Sequence, residues 1–110
     1  MSCRGLFSSI EDLCKRAVAL DNNTILKQEF EERMWIAAKL RDGKTAPFGV
    51  GWIVADHNGE LATGHSGGPA LSDIVRLPKR KITAIVLTNQ LELRPFLTMK
   101  VLDFYLKYKK

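Results

Sequence analysis

The sequence predicts an α+β domain in which helices pack against an antiparallel sheet. Three observations indicate this class. Apolar residues recur every three or four positions near both ends of the 110-residue chain, as on one face of an amphipathic helix. Between these segments lie short runs rich in β-branched and aromatic residues, which are typical of strands. Asn58-Gly59 favours a two-residue turn joining antiparallel neighbours.

The first helix is expected to begin at Ser8, whose hydroxyl can cap it, and to end near Leu20. Glu11 follows Ser8 by three residues and completes a capping-box pattern. The apolar stripe of this helix is expected to face the core and to include Cys14 as a small core residue. Its members are Ile10, Leu13, Cys14, Ala17 and Val18.

A second, shorter helix is predicted from Lys27 to Arg33, after a turn and capping site that end at Thr24. Its apolar residues are expected to face the core: Ile25, Phe30 and Met34.

Three or four antiparallel strands are predicted to form the sheet, with the hairpin at Asn58-Gly59 joining the first two. A turn at Pro78-Lys79-Arg80-Lys81 precedes the last strand, which is apolar on both faces and therefore typical of a strand covered on both sides. The predicted strands are Phe48 to Asp56, Leu61 to Ser66, Ser72 to Leu77 and Ile82 to Asn89.

The last helix is predicted to start at Arg94-Pro95, because a proline in the first turn lacks only an N–H that would have no partner there. Its apolar stripe is expected to pack on the sheet: Leu97, Val101, Phe104, Tyr105 and Tyr108.

Composition excludes several classes of protein. A content of 45% hydrophobic and 26% charged residues is ordinary for a globular domain. The two cysteines, Cys3 and Cys14, are too few for a disulfide scaffold and lack the C-x-x-C spacing of metal or redox motifs, so two unpaired thiols are expected. No apolar run approaches the ~20 residues of a membrane span, and the first residues lack the pattern of an export signal.

Basic residues concentrate in the C-terminal third. Residues 1–75 carry 8 basic and 10 acidic side chains, whereas residues 76–110 carry 9 and 2. Lys79-Arg80-Lys81 and the lysines at the end of the chain either form an anion-binding patch or keep a turn and a helix end in water. No aromatic platform or nucleic-acid motif accompanies the charge, so no nucleic-acid partner is expected.

One glycine-rich segment suggests a site. Gly64-His65-Ser66-Gly67-Gly68 closes a predicted strand with small residues, so a ligand or another backbone can approach its edge. Backbone N–H groups there can stabilise an oxyanion, while His65 and Ser66 supply a proton donor and a hydroxyl. A segment of this kind followed by Pro69 is also typical of a plain turn.

Three further conspicuous side chains have simpler interpretations. His57 lies in a polar turn and is expected to be exposed to solvent rather than catalytic. Trp35 and Trp52 are expected to be packing residues.

Four segments, in order, resemble those of the serine β-lactamase-like hydrolases, which include class C β-lactamases, carboxylesterases and D-alanyl-D-alanine peptidases. Gly5 to Leu13 looks like a segment that opens a helix of the family's helical region. Phe48 to Trp52 resembles its Tyr-Gly-x-Gly-Trp strand, and Ile85 to Asn89 resembles a strand that commonly ends Val-Leu-Thr-Asn. His65 to Gly68 is similar to the His-Ser/Thr-Gly-Gly form of the third active-site motif.

The resemblance implies a role for each residue of this last motif. His65 takes the place of the motif's Lys as a donor lining the site, and Ser66 takes the place of its Thr, which binds a substrate carboxylate or carbonyl. Gly68 would present the backbone N–H that forms half of the oxyanion hole, and Gly67 keeps the strand edge clear. No cofactor or metal is implied.

The family's mechanism also requires a nucleophilic Ser in a Ser-x-x-Lys motif and a Tyr-x-Asn motif. No lysine of this chain has Ser three positions before it, and Tyr105 and Tyr108 are followed two residues later by Lys107 and Lys110. Both motifs precede the matched region in the family. Residues 1–110 are therefore expected to be a single partial domain, the C-terminal portion of a hydrolase, inactive alone. The alternative is a non-catalytic interaction module with a basic C-terminal surface.

The resemblance also bears on partners and on location. In the family, the last strand of this region pairs with the first strand of the full chain, which is absent here. Ile82 to Thr88 is thus expected to be an open apolar edge that pairs with a second copy, giving a homodimer or concentration-dependent aggregation. Family members are often periplasmic or secreted, and the sequence leaves the compartment open.

Overall fold

A computed structural model describes residues 7–67, 72–89 and 97–109. These residues form three α-helices and a four-stranded antiparallel sheet in the order β1-β2-β3-β4, which confirms the α+β class. A short 3-10 turn, Pro78–Arg80, joins the last two strands. The elements in chain order are α1 (Ile10–Asp21), α2 (Gln28–Met34), β1 (Ile53–His57), β2 (Glu60–Gly67), β3 (Ser72–Leu77), β4 (Ile82–Leu87) and α3 (Leu97–Tyr108).

The first helix begins one residue later than predicted. Ser9 rather than Ser8 is the N-cap, since its Oγ accepts a hydrogen bond from the backbone N–H of Asp12 at 3.2 Å. Its extended backbone has the geometry that this cap requires. Asp12 therefore occupies the third helical position that the predicted capping box gave to Glu11.

The start of the first strand also differs from the prediction, because a tight turn precedes it. The Gly49 N–H donates to the Trp52 carbonyl at 2.8 Å, and Gly51 has a φ of +72°. β1 therefore begins at Ile53 rather than Phe48. The following hairpin is as predicted: Asn58 and Gly59 have φ values of 52° and 85°, as a type I′ turn requires.

The helices lie on opposite faces of the sheet. On one face, α3 covers the principal core, which consists of Ala62, Val75, Leu77 and Leu102. On the other face, α1 packs through Ala17 and Leu20, its buried residues. No helix within the described segments has the length and apolar character needed to cross a membrane.

The apolar face of α3 that packs on the sheet is not the predicted one. Leu102 is 1% exposed and Thr98 is fully buried, whereas the predicted stripe is largely exposed, with Phe104 at 67%. Met99 and Leu106 complete the packed face. Because α3 is apolar on two faces, helical periodicity alone did not distinguish them. The proposed start at Pro95 lies outside the described residues.

The predicted core faces of α1 and α2 are also partly wrong. Cys14, Ile25 and Phe30 are exposed, and Met34 is half-buried. Among the described residues, the sheet covers only one side of α1. Ala17 is the one buried member of the predicted stripe, and Leu20, the other buried residue of α1, lies outside that stripe.

His57 is not the solvent-exposed side chain that the sequence predicted. Its side chain is 12% exposed, and its Nε2 lies 2.7 Å from Oδ1 of Asp103. This contact ties the end of β1 to α3, whose main packing is on β3 and β4.

A buried arginine joins the C-terminus of α1 to β3. Nη2 of Arg76 donates to Oδ1 of Asp21 at 2.8 Å, and its guanidinium carbon lies 5.9 Å and 5.8 Å from the ring centroids of Trp35 and Trp52. Trp52 is buried and Trp35 half-buried, which confirms both as packing residues. An acidic residue at a helix C-terminus is unfavourable by itself, and Arg76 compensates for it here.

Candidate functional site

The described part of the glycine-rich segment, Gly64 to Gly67, forms an overhanging end of β2. The pairing of β2 with β1 ends at Gly64, opposite Ile53. The pairing with β3 continues to Gly67, opposite Ser72. His65, Ser66 and Gly67 therefore have a neighbouring strand on one side only among the described residues. The proposed oxyanion residue Gly68 lies outside them.

His65 lies on the face of the sheet that α1 covers. Its side chain is exposed and borders a cleft of about 160 Å³ whose other walls include Leu13 and Arg16 of α1. The sequence reasoning did not select Arg16. Its spacing of three residues from Leu13 is a signal that could have placed both on one face of the helix. The cleft thus brings an arginine together with the predicted histidine.

Ser66 lies on the opposite face, beneath α3. Its Oγ donates a hydrogen bond to Oδ1 of Asp73 at 2.7 Å. The other carboxylate oxygen of the buried Asp73 accepts hydrogen bonds from the backbone N–H of Thr98, at 3.2 Å, and from Oγ1 of Thr98. Carboxylates stabilise helix N-termini through such bonds. Ser66 is therefore part of a network that holds the first turn of α3 on the sheet.

The predicted site residues consequently face different surroundings. Because side chains alternate along a strand, His65 points towards α1 while Ser66 points towards α3. Asp73, which orients Ser66, was missed by the sequence reasoning. It is revealed only by the register that sets Ser66 opposite it in the sheet.

The two glycines of this strand permit close packing against β3. A Cβ at Gly64 would lie 2.4 Å from the carbonyl oxygen of Ile74, and one at Gly67 would lie 2.8 Å from Oγ of Ser72. Only the first of these obstacles is backbone. Gly64 is therefore required by the β2–β3 spacing, while Gly67 has a neighbour that can rotate away.

The overhang offers groups that can bind an extended ligand. Within the described segments, no group of three or more His, Cys, Asp or Glu side chains is arranged to hold a metal ion. An unpaired strand edge offers backbone donors and acceptors to an extended ligand, and the cleft beside it carries Arg16 and His65.

This fold and strand end are those of the β-lactamase-like class, with helices on both faces of an antiparallel sheet and a His-Ser-Gly strand beyond its neighbour. Residues 3–104 match the sequence model of the family described as Beta-lactamase, and the chain belongs to that family. The family's general kind is the serine hydrolase.

A solved structure agrees with this assignment. The octameric penicillin-binding protein homologue from Pyrococcus abyssi superposes with a TM-score of 0.75 and 28% identity, over 91% of this chain and 24% of that chain. This chain thus spans less than a third of the length of that protein. No curated protein matched the sequence.

Proposed function

We propose that the chain is the C-terminal portion of a serine β-lactamase-like hydrolase, and that it supplies one wall of that enzyme's active site. The complete enzyme would acylate a serine with an ester, amide or lactam substrate and then hydrolyse the acyl-enzyme. The observation that carries the proposal is the overhanging end of β2, where His65 to Gly67 of the family's third motif have no strand on the β1 side among the described residues.

In this proposal the overhang binds substrate and does not attack it. The strand edge would pair with the substrate backbone, and the N–H of Gly68 would stabilise the oxyanion. Arg16 and His65 border the cleft on the α1 side and would favour an anionic substrate group. Ser66 already donates its proton to Asp73. The Ser66 hydroxyl would therefore bind substrate as a hydrogen-bond acceptor, or as a donor after its hydrogen bond to Asp73 is broken.

The proposal predicts that the 110-residue chain alone is inactive. The sequence contains neither Ser-x-x-Lys nor Tyr-x-Asn, so no activated nucleophile is present to form the covalent intermediate. Nitrocefin and a p-nitrophenyl ester should show no turnover above the buffer rate. Intact mass after incubation with a penicillin should show no adduct. Turnover that a serine-acylating reagent abolishes would overturn this assignment of the catalytic groups.

We further propose that a second copy of the chain covers the outer edge of β4. Among the described residues, β4 pairs with β3 alone, and a groove of about 360 Å³ separates it from α3. Val101 and Tyr105 line this groove, and the exposed predicted stripe of α3 continues from it. Unpaired apolar edges favour pairing with another strand.

A two-fold symmetric dimer would cover both the outer edge of β4 and the exposed stripe of α3. An axis perpendicular to the sheet would pair β4 with its copy in antiparallel orientation and would set both α3 helices on the same face. Their exposed residues Val101, Phe104 and Tyr105 would then cover one another. Octameric assembly is a property of the Pyrococcus abyssi homologue, and it agrees with association of this chain without specifying the interface.

Light scattering after size exclusion should therefore show a homodimer through Ile82 to Thr88. Val101→Glu, at an exposed position, should raise the dissociation constant at least about tenfold because it places a charge in an apolar contact. Val18→Glu, equally exposed but on α1, is the matched control and should leave it unchanged. A monomer at high concentration would contradict the homodimer.

A further inference from the structure

A second and larger cleft lies away from the β2 overhang, between the C-terminus of α1, helix α2 and the turn that joins β3 to β4. Its volume is about 490 Å³. The side chains that carry the argument are Asp21, Glu31, Glu32, Trp35, Lys79 and Lys81. The proposed hydrolase mechanism uses none of them.

The α2 side of this cleft contains a carboxylate with an unmet hydrogen bond. Glu31 is 4% exposed, and its Oε1 has no hydrogen-bond partner among the described residues. Burial raises the pKa of Glu31 above 4.5, although the charge of Arg76 opposes the shift. Since the folded state then favours the protonated form, ionised Glu31 costs stability at neutral pH. A donor supplied from outside would remove that cost.

The existing cations do not supply this donor. Arg76 lies within the cleft lining, but it pairs with Asp21, and its Nε and Nη1 have no hydrogen-bond partner among the described residues. Arg80 pairs with Glu60 at 2.8 Å. Glu31 therefore lies near charge without a direct ion pair in the described part of the chain.

The turn side of the cleft carries the opposite charge. Lys79 and Lys81 are both exposed, and neither forms an ion pair among the described residues. Because Arg76 already pairs with Asp21 and Arg80 with Glu60, an added anion would bind to the two lysines. Between the two charged walls, Leu20, Leu61 and Trp35 offer apolar surface.

We propose that this cleft binds a small zwitterion, with a primary ammonium group at Glu31 and Glu32, a carboxylate at Lys79 and Lys81, and an apolar body on Trp35. A simple anion satisfies only the turn side, and a simple cation satisfies only the α2 side. A zwitterion pairs both sides, and it leaves the net charge of the complex unchanged. The class includes amino acids whose ammonium and carboxylate groups are separated by an apolar chain, and short peptides.

The test titrates the full chain with 6-aminohexanoate, followed by the fluorescence of Trp35, which lines the cleft. Hexanoate and hexylamine are matched ligands that each lack one charge. Binding of 6-aminohexanoate in the millimolar range is expected for a ligand of this size. Either control should bind at least about tenfold more weakly, because one charged hydrogen bond is lost. Equal binding of hexanoate would show an anion site and overturn the proposal.

Variants locate the binding. The exposed changes Lys79→Gln and Lys81→Gln together should weaken 6-aminohexanoate at least about tenfold, while Lys107→Gln on α3 should not. Glu31→Gln should weaken the ligand similarly, and circular dichroism verifies its fold. Trp35→Phe should remove the fluorescence change, with affinity then followed by calorimetry. Undetectable binding to the folded wild-type chain, or binding unaffected by the lysine and Glu31 changes, would overturn the proposal.

Discussion

Arg76→Met is expected to lower the free energy of unfolding by about 3–5 kcal/mol, because it leaves the Asp21 carboxylate without its buried partner. The Arg76 side chain is 2% exposed and that of Asp21 is 14% exposed. The substitution also removes the guanidinium group from the faces of Trp35 and Trp52. Urea unfolding followed by far-UV circular dichroism measures the change without depending on tryptophan fluorescence.

The matched control for this prediction is Arg80→Met. Arg80 donates to Glu60 at the same distance of 2.8 Å, but its side chain is 53% exposed. Water screens such a pair, so the loss should be below about 1 kcal/mol. Similar losses at Arg76 and Arg80 would contradict the role assigned to the buried arginine.

Gly64→Ala is expected to destabilise the sheet by about 2–3 kcal/mol, in the range of overpacking in a well-packed interior. The new Cβ would lie 2.4 Å from the Ile74 carbonyl oxygen, and a backbone atom cannot rotate away. β2 and β3 would have to separate at Gly64 and Val75, next to the Ser66–Asp73 pair on the same face of the sheet. Thermal unfolding, together with amide hydrogen exchange of the β2 and β3 backbone, reports both effects.

Gly67→Ala is the comparison on the same strand. Its Cβ would approach Oγ of Ser72, at 2.8 Å, and this exposed side chain can adopt another rotamer. The loss should therefore be well below that at Gly64. If Gly67→Ala proves the more destabilising, the overhang is held more tightly than its contacts indicate.

Several elements of the fold were predictable because their causes are local. The Asn58-Gly59 turn follows from the positive φ that these two residues tolerate, and it sets the β1–β2 register. β3 has its predicted bounds, Ser72–Leu77. The N-cap was misplaced by one residue, since Ser8 and Ser9 have the same capping chemistry and only the backbone decides between them.

The buried faces of the helices were less predictable because they depend on what packs against them. α3 has apolar residues around most of its circumference, and the sheet covers the face that contains Leu102 while Phe104 is exposed. β4 was predicted to be an interior strand covered on both faces. The helices α1 and α3 do pack on its two faces, but among the described residues β4 is the outer strand of the sheet. Apolar residues in a sequence thus indicate that a face is buried, but they do not identify the element that packs against it.

In the candidate site, likewise, the motif was predictable from the sequence and the residues that surround it were not. The order of four short segments in the sequence predicted the family that the comparisons confirm. The residues around the motif were not predictable in this way, because Asp73 and Arg16 meet it through sheet register and helix packing.

The sequence by itself therefore determined the family, the α+β class and the positions of the Asn58-Gly59 and Pro78–Arg80 turns, since glycine, asparagine and proline act through their own backbone geometry. Only the tertiary structure decided that α1 packs on the His65 face of β2 and α3 on the Ser66 face, that Arg76 is buried against Asp21, and that Glu31 Oε1 has no hydrogen-bond partner among the described residues. Each of these facts depends on residues far apart in the chain, which come together only when the helices pack on the sheet.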